Sequence, residues 1–176
     1  AGMTIAGVAT GTGTWNLDVD VTATGIIING TYTKIVNHEG LIVGGTFTGT
    51  INSQPGANFG LKLDISNLST SNLSYTGAED SSGAAYPNGI FTYENINYLV
   101  MPFNTEYSFT LSPASGYYLP DDIVIQKKDV GAKDNNVNLT AGTDYTYDSS
   151  TGEVRINAGQ INYPMVLTAS ASAHQH

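Results

Sequence analysis

Few side chains in this 176-residue chain carry obvious chemistry. Of three histidines only His38, in Asn37-His38-Glu39-Gly40, is internal; His174 and His176 stand at the C-terminal end. A serine nucleophile needs a base beside it, normally histidine. His38 falls between two apolar stretches, where a turn accounts for it. The terminal pair would need further ligands to hold a metal. No acid, base and nucleophile set assembles at a workable spacing, so the chain reads as non-enzymatic, with no catalytic residue.

The carboxylates offer more. Asp18 and Asp20 lie two residues apart, Glu79 and Asp80 are adjacent in a polar stretch, and Asp121 and Asp122 are adjacent beside Pro120. Calcium takes about six to eight oxygen ligands from carboxylates and carbonyls. Asp121 and Asp122 are the preferred candidates for a calcium site, because a bend also supplies carbonyls. No Asp-x-Asp-x-Asp-Gly loop is present, and solvated acids are the commoner explanation. The tyrosines Tyr75, Tyr86, Tyr117 and Tyr118 are candidates for stacking on sugar rings. Tyr117 and Tyr118 are the chosen pair, since consecutive residues on a strand face opposite ways and one must be exposed. A tyrosine that simply covers its own sheet is the competing explanation. Asn29, Asn67, Asn72 and Asn138 each begin an Asn-x-Ser/Thr triplet, which matters only in a source that glycosylates.

For the elements that hold these residues, composition points to strands. Charged residues are 12% of the chain, there are 11 tyrosines, and no window keeps a helical period. The net charge of −9 is spread along the chain: residues 1–95 carry seven acids and two bases, residues 96–176 eight acids and four bases. An evenly acidic surface disfavours nucleic acid and anionic membranes. The absence of cysteine removes disulfides and thiolate metal sites. No apolar run reaches the roughly 20 residues that cross a bilayer, so membrane insertion is not expected. Neither a signal-peptide pattern nor a Leu-Pro-x-Thr-Gly anchor is visible.

In the first half, residues 1–14 read as an edge strand, a flexible arm, or a segment pairing with another subunit by strand addition. Trp15, Leu17, Val19 and Val21 alternate with polar residues, as in one half-buried strand. Residues 25–33, GIIINGTYT, match residues 40–48, GLIVGGTFT, position by position at an offset of 15. Two copies suggest neighbouring strands of a meander with bulges at Gly30 and Gly45; a solenoid usually needs about three or more copies. Leu61, Leu63 and Ile65 make another amphipathic strand. Residues 66–88 read as a long loop, and IFTYENINYLV (90–100) returns to strand composition. A domain boundary is placed between Asn95 and Asn104.

In the second half, Tyr107, Phe109 and Leu111 form one face of a strand, and Tyr117–Gln126 a second strand bent by Pro120. Residues 127–138 read as a loop. Tyr145–Tyr147 and Val154–Ile156 flank the turn Asp148-Ser149-Ser150-Thr151-Gly152, as in a hairpin. The last strand places Met165, Leu167, Ala169 and Ala171 on one face. The run Ser115-Gly116-Tyr117-Tyr118-Leu119-Pro120-Asp121, the hairpin LTAGTDYTYDSSTGEVRI and the ending Val166–Ala171 together resemble the immunoglobulin-like repeats of surface proteins from Gram-positive gut bacteria. Similar modules occur on phage virion proteins and polysaccharide-degrading enzymes. The resemblance covers residues 105–173, departs at the charged insertion KKDVGAKDNN, and implies a β-sandwich spacer or adhesive module without a shared site.

The expectation is therefore an all-β chain of two β-sandwich-like domains. Residues 1–97 would form an antiparallel β domain, residues 98–173 an immunoglobulin-like sandwich, and residues 174–176 a tail. The expected role is a non-enzymatic extracellular structural or adhesive protein on a cell surface, filament or virion. Its partners would be subunits of its own assembly, or a host-surface glycan or protein. The alternative is a carbohydrate-binding module of a glycan-processing enzyme. No cofactor is implied beyond the calcium candidate.

Overall fold

In a computed structural model, residues 2–64, 71–76 and 89–173 are described. The first part of the chain is coiled. Strands β1 (Met3–Ile5), β2 (Val8–Ala9) and β3 (Thr14–Trp15) form one coil; β4 (Val19–Val21), β5 (Ile26–Ile27) and β6 (Thr31–Tyr32) form the next. A third coil follows as β7 (Ile35–His38), β8 (Leu41–Ile42) and β9 (Thr46–Phe47), and β10 (Thr50–Ser53) and β11 (Asn58–Leu63) begin a fourth. Equivalent strands pair in parallel, giving walls β1-β4-β7-β10, β2-β5-β8-β11 and β3-β6-β9. The chain is all-β, and this part is a β-solenoid of about three turns.

That corrects the antiparallel domain and the meander expected for residues 1–97. Strands of two to four residues separated by corners carry the chain around, so each strand meets its counterpart one coil later instead of its immediate neighbour. On the second and third walls, the step from coil two to coil three is 15 residues (Ile26↔Leu41, Thr31↔Thr46), which is the offset visible in the sequence. The preceding steps are 18 and 17 (Val8↔Ile26, Thr14↔Thr31), three and two residues longer, and with one more residue between Val8 and Thr14 than between Ile26 and Thr31 they hide a further copy, Gly7-Val8-Ala9 and Gly13-Thr14-Trp15. The alternation from Trp15 to Val21 is likewise divided: Trp15 and Val19 lie on different walls, either side of a corner.

Inside the coils, side chains of matching register stack: Ile5 on Val21 on His38, Val19 on Val36, Ile27 on Ile42 on Phe59, and Tyr32 on Phe47, all buried. The Tyr32 and Phe47 rings stack at 5.3 Å between centroids and 14° between planes. At the corner before them, Gly30 and Gly45 take φ of 108° and 103°, a region open cheaply only to glycine. Outside the first wall, Asp20, Asn37 and Asn52 form a ladder, with Asn37 donating to Asp20 at 2.9 Å and Asn52 to Asn37 at 3.2 Å.

The second wall is buried on both faces, which explains its unbroken apolar runs. Ile26, Ile28, Leu41 and Val43 lie under Tyr98 and Val100 of β14 (Ile96–Pro102). β14 forms a hairpin with β13 (Ile90–Tyr93) across Glu94 and Asn95, both at positive φ as a tight primed turn requires. β11 is the junction of the molecule. One edge pairs with β14; the other pairs with β8 through Asn58 and Phe59, then with β21 (Met165–Thr168) through Leu61–Leu63. One sheet thus runs from the solenoid into the C-terminal half.

A second, antiparallel sheet has the order β12-β15-β20-β19, from β12 (Leu73–Thr76), β15 (Tyr107–Pro113), β19 (Tyr145–Tyr147) and β20 (Glu153–Ile156). β12 lies within the stretch read as a long loop; Ile65, beside that stretch, falls outside the described residues. Phe109 and Leu111 of β15 are buried as their alternation predicts, and the β19–β20 hairpin forms with Tyr147 opposite Val154. Gly152 closes its turn at φ 84°, donating its N–H to the Asp148 carbonyl at 2.7 Å. The strand read as Tyr117–Gln126 is divided at Leu119–Ile123 into β16 (Tyr117–Tyr118) and β17 (Val124–Lys127). β17 pairs with β21 and with β18 (Val137–Asn138), while β16 pairs with β22 (Ser172–Ala173). Solenoid and second-half residues share one apolar cluster, from Ile5 and Phe59 to Phe109, Ile125, Val154 and Leu167.

Candidate functional site

His38 is the clearest departure from the sequence reading. It is not in a turn but ends β7, pointing inward between the alternating Val36 and the corner, fully buried. The Gly40 N–H donates to Nδ1 at 3.3 Å, which leaves the proton on Nε2 to donate to the Asn58 carbonyl at 2.8 Å. Its ring meets Phe59 edge-on at 5.0 Å. Burial lowers its pKa to about 4, against a smaller opposing effect from the Asn58 hydrogen bond. With both nitrogens committed to the backbone, it works as a core residue.

Asp18 and Asp20 serve the solenoid wall. Asp18 accepts the Ile35 N–H at 3.2 Å, and Asp20 sits in the amide ladder. Tyr75 packs half-buried against the core from β12. Asn29 donates to the Thr10 carbonyl at 3.3 Å, Asn72 has φ 59°, and Asn138 accepts from Gln126 at 2.6 Å. Glu79, Asp80, Tyr86, Asn67, His174 and His176 fall outside the described residues.

Three of the chosen residues come together. Tyr117, Tyr118 and Asp121 line an open groove of about 690 Å³, with Ser149 and Ser150 opposite and Ser172 and Ala173 along its side. β16 presents the tyrosines; Tyr118 is 49% exposed and Tyr117 half-buried. Pairing with β22 sets their direction, and Pro120, buried, ends the strand where its missing N–H would break a ladder. The opposite bank is the β19–β20 turn. There the Asp148 carboxylate accepts both the Ser150 N–H (2.9 Å) and the Ser150 hydroxyl (2.6 Å), and these bonds hold its pKa below the usual carboxylate value.

Two tyrosine hydroxyls tie the banks together. Tyr147 donates to the Pro120 carbonyl at 2.7 Å, and Tyr145 to the Ile123 carbonyl at 3.0 Å. Desolvation raises the Tyr147 pKa, and the nearby negative charges of Asp121, Asp148 and Asp122 raise it further. The Arg155 pairs with Glu106 and Glu153 are the ion pairs among the described residues, so Asp121 and Asp122 have no cation partner there. Asp121 lines the groove; Asp122 does not. Among the described residues no three His, Cys, Asp or Glu side chains converge as a metal site, so Asp121 and Asp122 stand as a pair. Ser149 and Ser150 were legible only as turn residues, and Ser172 and Ala173 gave no signal, since only strand pairing brings them here.

No helix among the described residues is long and apolar enough to cross a membrane. Compared with models of known protein families, with curated proteins and with solved structures, the chain matches none.

Proposed function

We propose that this chain is a non-enzymatic structural or adhesive protein, displayed outside the cell on a surface, filament or virion, which assembles with copies of itself through β-strand contacts. The carrying observation is the outer edge of the first coil. β1, β2 and β3 each end their sheet order, and among the described residues no strand pairs with their outer edges. Unpaired edges of this kind are normally blunted by charge, proline or bulges. Residues 1–17 contain no Asp, Glu, Lys, Arg or Pro, in a chain of net charge −9. Val8 and Trp15 add apolar surface there, 49% and 37% exposed. Acidic copies repel each other least across a neutral edge, which favours a second copy as the occupant.

The second half supports a spacer role. Residues 98–173 are read as an immunoglobulin-like sandwich, supported by the two sheets that share one apolar cluster. The junction at β11 makes relative motion of the two parts costly, which suits display.

The test is size-exclusion chromatography and electron microscopy of the purified chain, with a Val8→Lys variant. The expected result is concentration-dependent association that Val8→Lys abolishes while the circular dichroism spectrum is retained. A stable monomer with measurable turnover on a polymer would overturn the reading, and so would association indifferent to Val8→Lys.

A further inference from the structure

We infer that the groove between β16 and the β19–β20 turn is a binding site for a neutral oligosaccharide. This deepens the adhesive reading above and does not depend on the strand-edge contact, which uses β1–β3. Its volume of about 690 Å³ lies within the roughly 300–1,000 Å³ of sites that hold small ligands.

The lining has the two kinds of surface that a sugar presents to a protein. A pyranose ring has an apolar C–H face and a rim of hydroxyls. Tyr118, the exposed member of the pair, brings aromatic surface to one bank, which Tyr117, Leu119 and Pro113 also line. Aromatic rings of this kind supply large contact area at small entropic cost. Asp121 supplies a carboxylate with no cation partner among the described residues, able to accept two sugar hydroxyls. Ser149 and Ser150 face them from the turn, and Ser150 keeps acceptor capacity after donating to Asp148.

Charge narrows the ligand class. Among the described residues no Lys, Arg or His lines the groove, and Asp121 does. A uronic acid, sulfated sugar or phosphate would meet the Asp121 carboxylate with no cation among the described lining residues to offset it, so the site favours uncharged sugars. The banks are held in place before any ligand arrives, by Tyr147 on Pro120, Tyr145 on Ile123 and Ser150 on Asp148. Little ordering cost is then left to binding.

The experiment titrates the full chain with hexasaccharides of glucose, xylose, mannose and galactose, and with a galacturonate hexasaccharide as the acidic control, by isothermal calorimetry and saturation-transfer NMR. At least one neutral probe is expected to bind and the galacturonate is not. Tyr118→Ala should weaken that binding at least tenfold, Tyr118→Phe should keep it within threefold, and Asp121→Asn should weaken it several-fold. Self-association should be unchanged in all three variants, which separates failure of this site from failure of the strand-edge contact. No binding of any neutral probe at millimolar concentration would overturn the inference. Preference for the galacturonate, or binding unaffected by Tyr118→Ala in a folded variant, would do the same.

Discussion

Acidification should destabilise this protein through His38 well before its carboxylates are all protonated. The imidazole is fully buried with pKa lowered to about 4, whereas the unfolded chain returns it to its ordinary value of 6.5. Between those values the unfolded state binds the additional proton, so stability rises with pH across that window and is lost as pH falls through it. Moving from pH 7.5 to pH 5 should remove about 2 kcal/mol, and continuing to pH 4 about 3 kcal/mol in all. The structural cause is specific. A second ring proton would sit on Nδ1, against the Gly40 N–H that now donates to it, in a pocket closed by Phe59. The assay is urea unfolding at a series of pH values, for the native chain and for His38→Gln, which keeps one donor and one acceptor but does not titrate. Exposed acids such as Asp148, whose pKa is lowered, lose stability at lower pH in both proteins, so the difference between the two curves isolates the histidine. The native chain should lose about 2 kcal/mol more than the variant by pH 5. Parallel curves would refute the reasoning, and so would an NMR titration that placed the folded His38 near its ordinary pKa.

Other substitutions test the frame and the groove. Gly152→Ala places a Cβ at φ 84° over the Leu111 carbonyl, and should cost at least about 2 kcal/mol in thermal or urea unfolding. Leu61→Ala empties a fully buried position of β11, with an expected loss of about 2–5 kcal/mol. Because β11 joins both parts, fluorescence of Trp15, the sole tryptophan, and far-ultraviolet circular dichroism should follow one coincident transition before and after that change. Separate transitions would show that the junction does not couple them. Tyr147→Phe removes the bond to Pro120 and should lower stability by about 1 kcal/mol in the same urea assay.

The class of structure and several of its local pieces follow from composition and short-range pattern alone. High Thr and Tyr content with few charges made an all-β chain, because β-branched and aromatic side chains fit a pleated, half-buried surface. The hairpin at Asp148–Gly152 was legible because its turn chemistry is local: an acceptor at one end and a glycine able to take positive φ at the other. Gly30 and Gly45 were legible as bends, since both take the positive φ their positions need. What tertiary structure decided was how strands met. Whether GIIINGTYT and GLIVGGTFT fold back on each other or stack one coil apart depends on corner geometry and on burial across walls, neither of which is written in a single strand. The 18- and 17-residue steps masked the third copy that would have revealed the stack. His38 looked like a turn residue for the same reason: its inward direction follows from the register with Val21, a residue of the coil before it. The groove was half legible, with Tyr117, Tyr118 and Asp121 close in sequence, while Ser149, Ser150, Ser172 and Ala173 join them only because antiparallel pairing and two tyrosine hydroxyl bonds draw distant segments to one place. Local chemistry is carried by neighbours along the chain, and long-range pairing is decided by the surface that the whole fold can bury.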